Sequence, residues 1–166
     1  MTRLETALND MRSARAYSNR LLDAIDPADW YRIPTAGVSH VGWQVAHVAA
    51  ADYRLCLDRI RGARPEDDAL ISQEILTRFG KGSVPVPDAS ANPSVDEIRG
   101  AFDRVRNQAL EELASLTDAQ LDEKVLQPHP LFDTKYGAIQ MASRHEMLHA
   151  GQIGLLRRQL GADPIR

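Results

Sequence analysis

Apolar residues recur at three-and-four spacing from the first turns of the chain. Between Arg3 and Ile25, residues Leu4, Ala7, Leu8, Met11, Ala14, Leu21, Leu22 and Ile25 fall on one stripe, which predicts an amphipathic helix with Thr2 as its cap. The stretch "DPADWYRIPTAGVS", Asp26 to Ser39, carries two prolines and a glycine. It predicts a loop ending at a serine cap on Ser39. A second helix is expected from about His40 to Arg61. Between Gly62 and Pro93 the periodicity weakens among Pro, Gly, Ser and Asn, leaving room for one short helix near Asp68 to Arg78. Irregular connections of this length are uncommon in compact domains and tend to line pockets or rims; the plainer reading is a surface excursion.

The pattern then returns. Ser94 with Glu97 three residues on reads as a capping box, followed by the buried stripe Val95, Ile98, Ala101, Phe102, Val105, Ala109 and Leu113. Thr117 and Gln120 repeat the box for a short element. After the turn "QPHPLFDTKYG", a last helix is expected from about Ala138 to Leu160, stopped by Gly161. No convincing strand alternation and no internal repeat are present. Long helices with one core-facing stripe each predict an all-α four-helix bundle occupying residues 1–166 as one domain, with a long crossover between the second and third helices.

Composition narrows the function classes. With 43% hydrophobic and 26% charged residues and a net charge of -3, the chain has the balance of a soluble globular protein and no basic field for nucleic acid. No segment approaches the roughly 18 apolar residues of a membrane span, and the opening residues mix acids and bases, unlike a signal peptide. A cytoplasmic protein with no membrane partner is expected. The only cysteine, Cys56, has no partner for an internal disulfide.

The chemistry concentrates in "RHEMLHAGQIGLLRRQLG", Arg144 to Gly161. His145 and His149 are one turn apart and project from one helix face, close enough for one ion. The same face continues through Ala138, Met141, Ala142, Leu148, Gln152, Ile153 and Leu156, which places both histidines in the expected core stripe. A buried, hydrogen-bonded pair is the plain alternative, but two desolvated imidazoles must both find partners. A third ligand is sought on the second helix, where His47 shares a side with His40, Trp43, Gln44, Ala50, Ala51 and Arg54. Cys56 falls about half a turn round from His47 and reads as packing. His129 sits in a proline-stiffened loop, and His40 near a helix start.

His145-Glu146-Met147-Leu148-His149 spells a metalloprotease motif, in which the glutamate takes a proton from metal-bound water. Such enzymes need a further ligand downstream. The position six residues after His149 is Leu155, and Asp163 is the only acid beyond it. The protease reading therefore fails.

"VGWQVAHVAAADYRL" on the second helix, together with "HEMLHAGQIGLLRRQLG" at the end of the chain, resembles the DinB/YfiT-like superfamily of small bacterial four-helix proteins. The resemblance implies that His47, His145 and His149 bind one divalent metal, zinc or nickel, with open coordination positions, in a fold often found as a homodimer. It also implies a small-molecule substrate, since relatives include transferases that join low-molecular-weight thiols such as bacillithiol or mycothiol to electrophiles. Glu146 is not among the ligands it carries over.

Three neutral imidazoles leave an ion its full charge, which lowers the pKa of a coordinated thiol or water. Arg54 is then a candidate to hold a carboxylate of a thiol cosubstrate or electrophile, the alternative being an arginine reaching solvent at the bundle end. Gln152 and Gln44 are candidates to orient the imidazoles. Trp30, Tyr31 and Trp43 either wall a pocket or plug the core, and Gly151 and Gly154 permit close helix contact. Three readings stay open: a metal-dependent thiol S-transferase, a metal-dependent hydrolase with Glu146 as base, and a noncatalytic metal- or ligand-binding protein.

Overall fold

A computed structural model describes residues 1–34 and 39–165. Four long helical segments form the bundle. The first, α1 (Arg3–Leu22), starts at Thr2, whose side chain accepts from the Glu5 N–H while Glu5 answers to the Thr2 N–H. The second, α2 (Val41–Asp52), continues through a π-helical stretch, Tyr53–Asp58, into a closing turn, Arg59–Arg61. It is capped by the His40 imidazole, whose Nδ1 accepts from the Trp43 N–H at 3.0 Å, and not by Ser39. Ser39 instead accepts a hydrogen bond from Gln44 through its hydroxyl. Residues 35–38 of the expected loop lie outside the described residues.

The crossover is more ordered than its composition suggests. It contains the short helix α3 (Gln73–Arg78), capped by Ser72, and 3-10 turns at Pro65–Ala69 and Ala89–Ala91. Buried Asp67 anchors it, accepting from both terminal nitrogens of Arg61, the Arg64 N–H and the Tyr53 hydroxyl. Ile71, Ile75 and Phe79 sink into the core; burying each such side chain favours folding by about 1.5–3 kcal/mol. Helix α4 (Val95–Leu113) presents Ile98, Ala101, Phe102, Val105, Ala109 and Leu113 inward as its periodicity requires. The turn α5 (Asp118–Leu121) carries the expected Thr117/Gln120 capping box.

The expectation of no strands needs correction. Lys124–His129 (β1) pairs antiparallel with Phe132–Thr134 (β2). The hairpin lies on the outside of the bundle with most of β1 exposed, so no alternation of apolar and polar residues marks it, and Pro128 and Pro130 read as loop. Stacking of the His129 ring on Phe132, centroids 4.3 Å apart, holds its tip. The hairpin leads directly into α6 (Lys135–Gln159), which begins three residues earlier than the periodicity suggests. Gly161, at φ +97°, ends it as expected.

Helix α6 packs along α1 and α2, and α2 along α4. The α1–α4 seam is closed by arginines: Arg15 donates to the Phe102 carbonyl and Arg106 to the Met11 carbonyl. Apart from the hairpin the fold is all-α, around one apolar core. Trp30 and Tyr31 belong to that core, the Tyr31 hydroxyl donating to the Pro93 carbonyl. No helix among the described residues is long and apolar enough to cross a membrane.

Candidate metal centre

The inward line of α6 runs through Ala142, Glu146, His149, Ala150 and Ile153, about one residue round from the line that includes Leu148 and Gln152. Both of those are exposed. His145 therefore sits half-buried at the edge of the stripe and His149 is buried beside it. From α2, His47 completes the group: ligand-capable nitrogens of His47, His145 and His149 all lie within 4.8 Å of one another. Ring centroids are 4.4 Å apart for His145 and His149, 4.9 Å for His47 and His149, and 5.2 Å for His47 and His145.

Two of the imidazoles have a fixed tautomer. His47 Nδ1 donates to the Phe79 carbonyl at 2.7 Å, and His149 Nδ1 donates to the Gln44 side-chain oxygen. Gln44 is oriented in turn by Ser39, to whose hydroxyl its amide donates at 3.0 Å. Both Nε2 atoms are thereby left as lone pairs, the arrangement usual for a metal-ligating histidine. His149 Nε2 faces His145 Nε2 at 3.1 Å. The third ring is held less: His145 Nδ1 is shut off from solvent without a partner. Trp43 stacks on His47, rings 7° from parallel and centroids 4.7 Å apart, while its indole N–H donates to Ser83.

Desolvation keeps the cluster neutral. Burial, then the neighbouring imidazoles, pushes His149 down to about 3. Burial and the adjacent His47 push His145 down to about 4, and burial likewise lowers His47. Three neutral imidazoles whose ring nitrogens lie within reach of one another are the donor set of a divalent transition metal. Nitrogens about 2.0–2.1 Å from an ion stand a little over 3 Å apart, so the residues present fit such an ion with small side-chain adjustments.

The other sequence candidates separate. Gln44 meets a ligand imidazole; Gln152 is exposed, away from the inward stripe. Gly154 comes within contact of Leu21, its notional Cβ 3.9 Å away, but Gly151 has nothing within 4 Å. Cys56 is buried and burial raises its pKa, so it is a packed thiol. Arg54 lies on a separate cavity wall, its guanidinium donating to the Leu76 carbonyl.

Glu146 is occupied elsewhere. It is 1% exposed, and its carboxylate accepts from Arg15 at 2.9 Å and from Arg106 at 2.5 Å. Asp52 accepts from the same two arginines, at 3.1 Å and 2.7 Å. One charged residue from each long helix thus meets in the core, two positive and two negative. Arg15, Asp52 and Arg106 were not singled out by the sequence reading, although each occupies a position in its helix's buried stripe. A charge on an apolar stripe is the signal that identifies such a network. Phe79 carries no such signal, because its contribution is a backbone carbonyl.

The family model of the DinB superfamily matches residues 10–153, a span that includes all three histidines. No curated protein matches the chain.

Proposed function

The chain belongs to the DinB superfamily, and on that premise we propose that it is a metal-dependent thiol S-transferase acting on a small-molecule electrophile. The observation that carries this reading is the cluster of three neutral imidazoles with Nε2 of two of them facing each other. His47, His145 and His149 would hold one zinc or nickel ion. Such an ion supplies Lewis acidity, lowering the pKa of a thiol that reaches it.

The chain's own residues set the site up. Phe79 and Gln44 keep the protons of His47 and His149 on Nδ1, so each Nε2 stays a donor. Among the described residues no carboxylate joins the three imidazoles as a ligand, so the donor set itself is uncharged. Trp43 covers one face of His47 and excludes water from it. Arg54 is the residue that would take a carboxylate of the thiol or its acceptor.

The hydrolase reading has less support. A general base needs a free lone pair within reach of the proton it abstracts, and Glu146 has both oxygens committed to guanidinium groups. The same proposal places the protein in the cytoplasm as a homodimer. Leu148 and Leu155, 61% and 47% exposed and two turns apart on α6, are apolar surface that a second copy would cover; light scattering on the purified protein measures the mass.

Turnover of a panel of electrophiles, with and without bacillithiol, mycothiol or glutathione, tests the reaction. Conversion that depends on one thiol and on the bound metal is expected. Equal turnover with and without thiol removes the transferase reading, and metal binding with no turnover leaves a noncatalytic metal protein.

A further inference from the structure

A cavity of about 700 Å³ lies between the π-helical stretch and α3, lined by Tyr53, Arg54, Asp58, Leu76, Gly80 and Lys81 among others. Its cations are unusual for this chain. Arg61, four residues along from Leu57, is fully engaged by Asp67 and Glu112. By contrast no carboxylate pairs with Arg54, Arg59 or Lys81 among the described residues. Arg54 is half-buried and lines the cavity; its Nη2 caps the end of α3 through the Leu76 carbonyl, the one hydrogen bond its guanidinium makes among the described residues. Arg59 donates to the Arg54 carbonyl at 3.4 Å, while its Nε is closed to solvent and unpartnered. The carboxylate on the lining, Asp58, accepts from Gln127 at 3.2 Å. On the lining itself two positive groups, Arg54 and Lys81, therefore stand against one negative, with Arg59 behind them at the Arg54 carbonyl.

Neighbouring groups register this field. Burial, then Arg59 and Lys81, hold the His129 imidazole below its usual pKa, and burial, then Arg59, lowers Arg54 against the smaller opposing pull of Asp58. A partly desolvated guanidinium without a directly paired carboxylate is costly to keep and is well matched to a bidentate oxyanion.

We infer that this cavity is an oxyanion subsite, in which Arg54 and Lys81, supported by Arg59, bind the carboxylate or phosphate of a small organic anion. Its location links it to the histidine cluster through three consecutive residues: the Phe79 carbonyl holds His47, Gly80 borders the Arg54 guanidinium, and Lys81 reaches the cavity. The subsite deepens the small-molecule reading above by giving the ligand a charged anchor, but binding there needs neither metal nor turnover.

The test uses the full-length, metal-free protein, with amide and Arg Nε–H resonances followed by NMR during titration with inorganic phosphate, with succinate, and with chloride as ionic-strength control. Saturating shifts at Gly80, Lys81 and Arg54 are expected for phosphate or succinate and not for chloride. Arg54→Met is expected to weaken binding about tenfold, the loss of a charge-assisted contact, and Lys81→Met about threefold. Since Arg54 also caps α3, the exposed Lys81 decides if Arg54→Met fails to fold. His149→Ala is expected to bind the anion as before. Non-saturating shifts matching chloride, unchanged affinity in Lys81→Met, or loss of binding in His149→Ala would overturn the subsite. Saturation by phosphate alone or succinate alone supports it and identifies the group it takes. Because no thiol or metal takes part, failure of the transferase reading leaves this result untouched.

Discussion

His149 and Gln44 are joined across the bundle by a hydrogen bond from the imidazole Nδ1 to the side-chain amide oxygen. That bond fixes which nitrogen of His149 carries the proton and turns Nε2 toward His145. Removing such an orienting partner typically lowers metal affinity about 10- to 100-fold. Gln44→Ala is therefore expected to show that loss in a competition titration against a zinc chelator. Gln152→Ala, on the exposed side of α6, is expected to match the unaltered protein; equal losses in both would contradict the assignment of Gln44.

The buried tetrad of Arg15, Asp52, Arg106 and Glu146 makes a separate prediction for stability. Removing one member strands a buried charge, which costs about 3–5 kcal/mol, whereas replacing a whole buried ion network with apolar residues of similar volume is often neutral or better. Arg106→Met should accordingly lose stability of that size in urea denaturation. A loss under about 1 kcal/mol would show that the network is far more solvated than its burial indicates.

Glu146→Gln keeps the shape and removes the charge that two arginines share. The expected outcome is a lower unfolding midpoint with metal content unchanged. If instead stability holds and a hydrolytic activity disappears, Glu146 is acting as a base and the hydrolase reading gains over the transferase.

Acid sensitivity follows from His40. Fully buried, it caps α2 with its Nδ1 as acceptor, and burial pushes it down to about 4 from its usual 6.5. Between those values the unfolded chain binds the proton and the folded chain does not, so folding is favoured above about pH 6.5 and that contribution is lost as pH falls toward 4. Denaturation of the metal-free protein at a series of pH values should show stability dropping through this window. In His40→Asn, which retains a capping oxygen, the drop should be shallower, with the cluster histidines contributing the remainder. An identical slope in both proteins would exclude His40 as a source.

Much of the fold could be read from apolar spacing, because burial imposes a period on each long helix: Ile98 through Leu113 line up as the spacing of α4 predicts. The hairpin could not, since β1 buries little besides Val125. The three metal-ligand candidates were legible because they are side chains on strongly periodic helices. Their supports were legible only in part: Gln44 shares a helix face with His47, whereas the Phe79 carbonyl depends on where the crossover returns to the bundle. The partners of Glu146 were not legible, because a short motif shows residue type and spacing, while what a side chain meets depends on which side of α6 faces the core.

The central claim is that His47, His145 and His149 hold one divalent ion, and metal content measures it most directly. Elemental analysis of the purified protein beside His47→Ala and His149→Ala, each confirmed as folded by circular dichroism, should find close to one zinc or nickel per chain in the first and little in either variant. Equal metal in all three, or none in any after incubation with zinc and nickel, would contradict it.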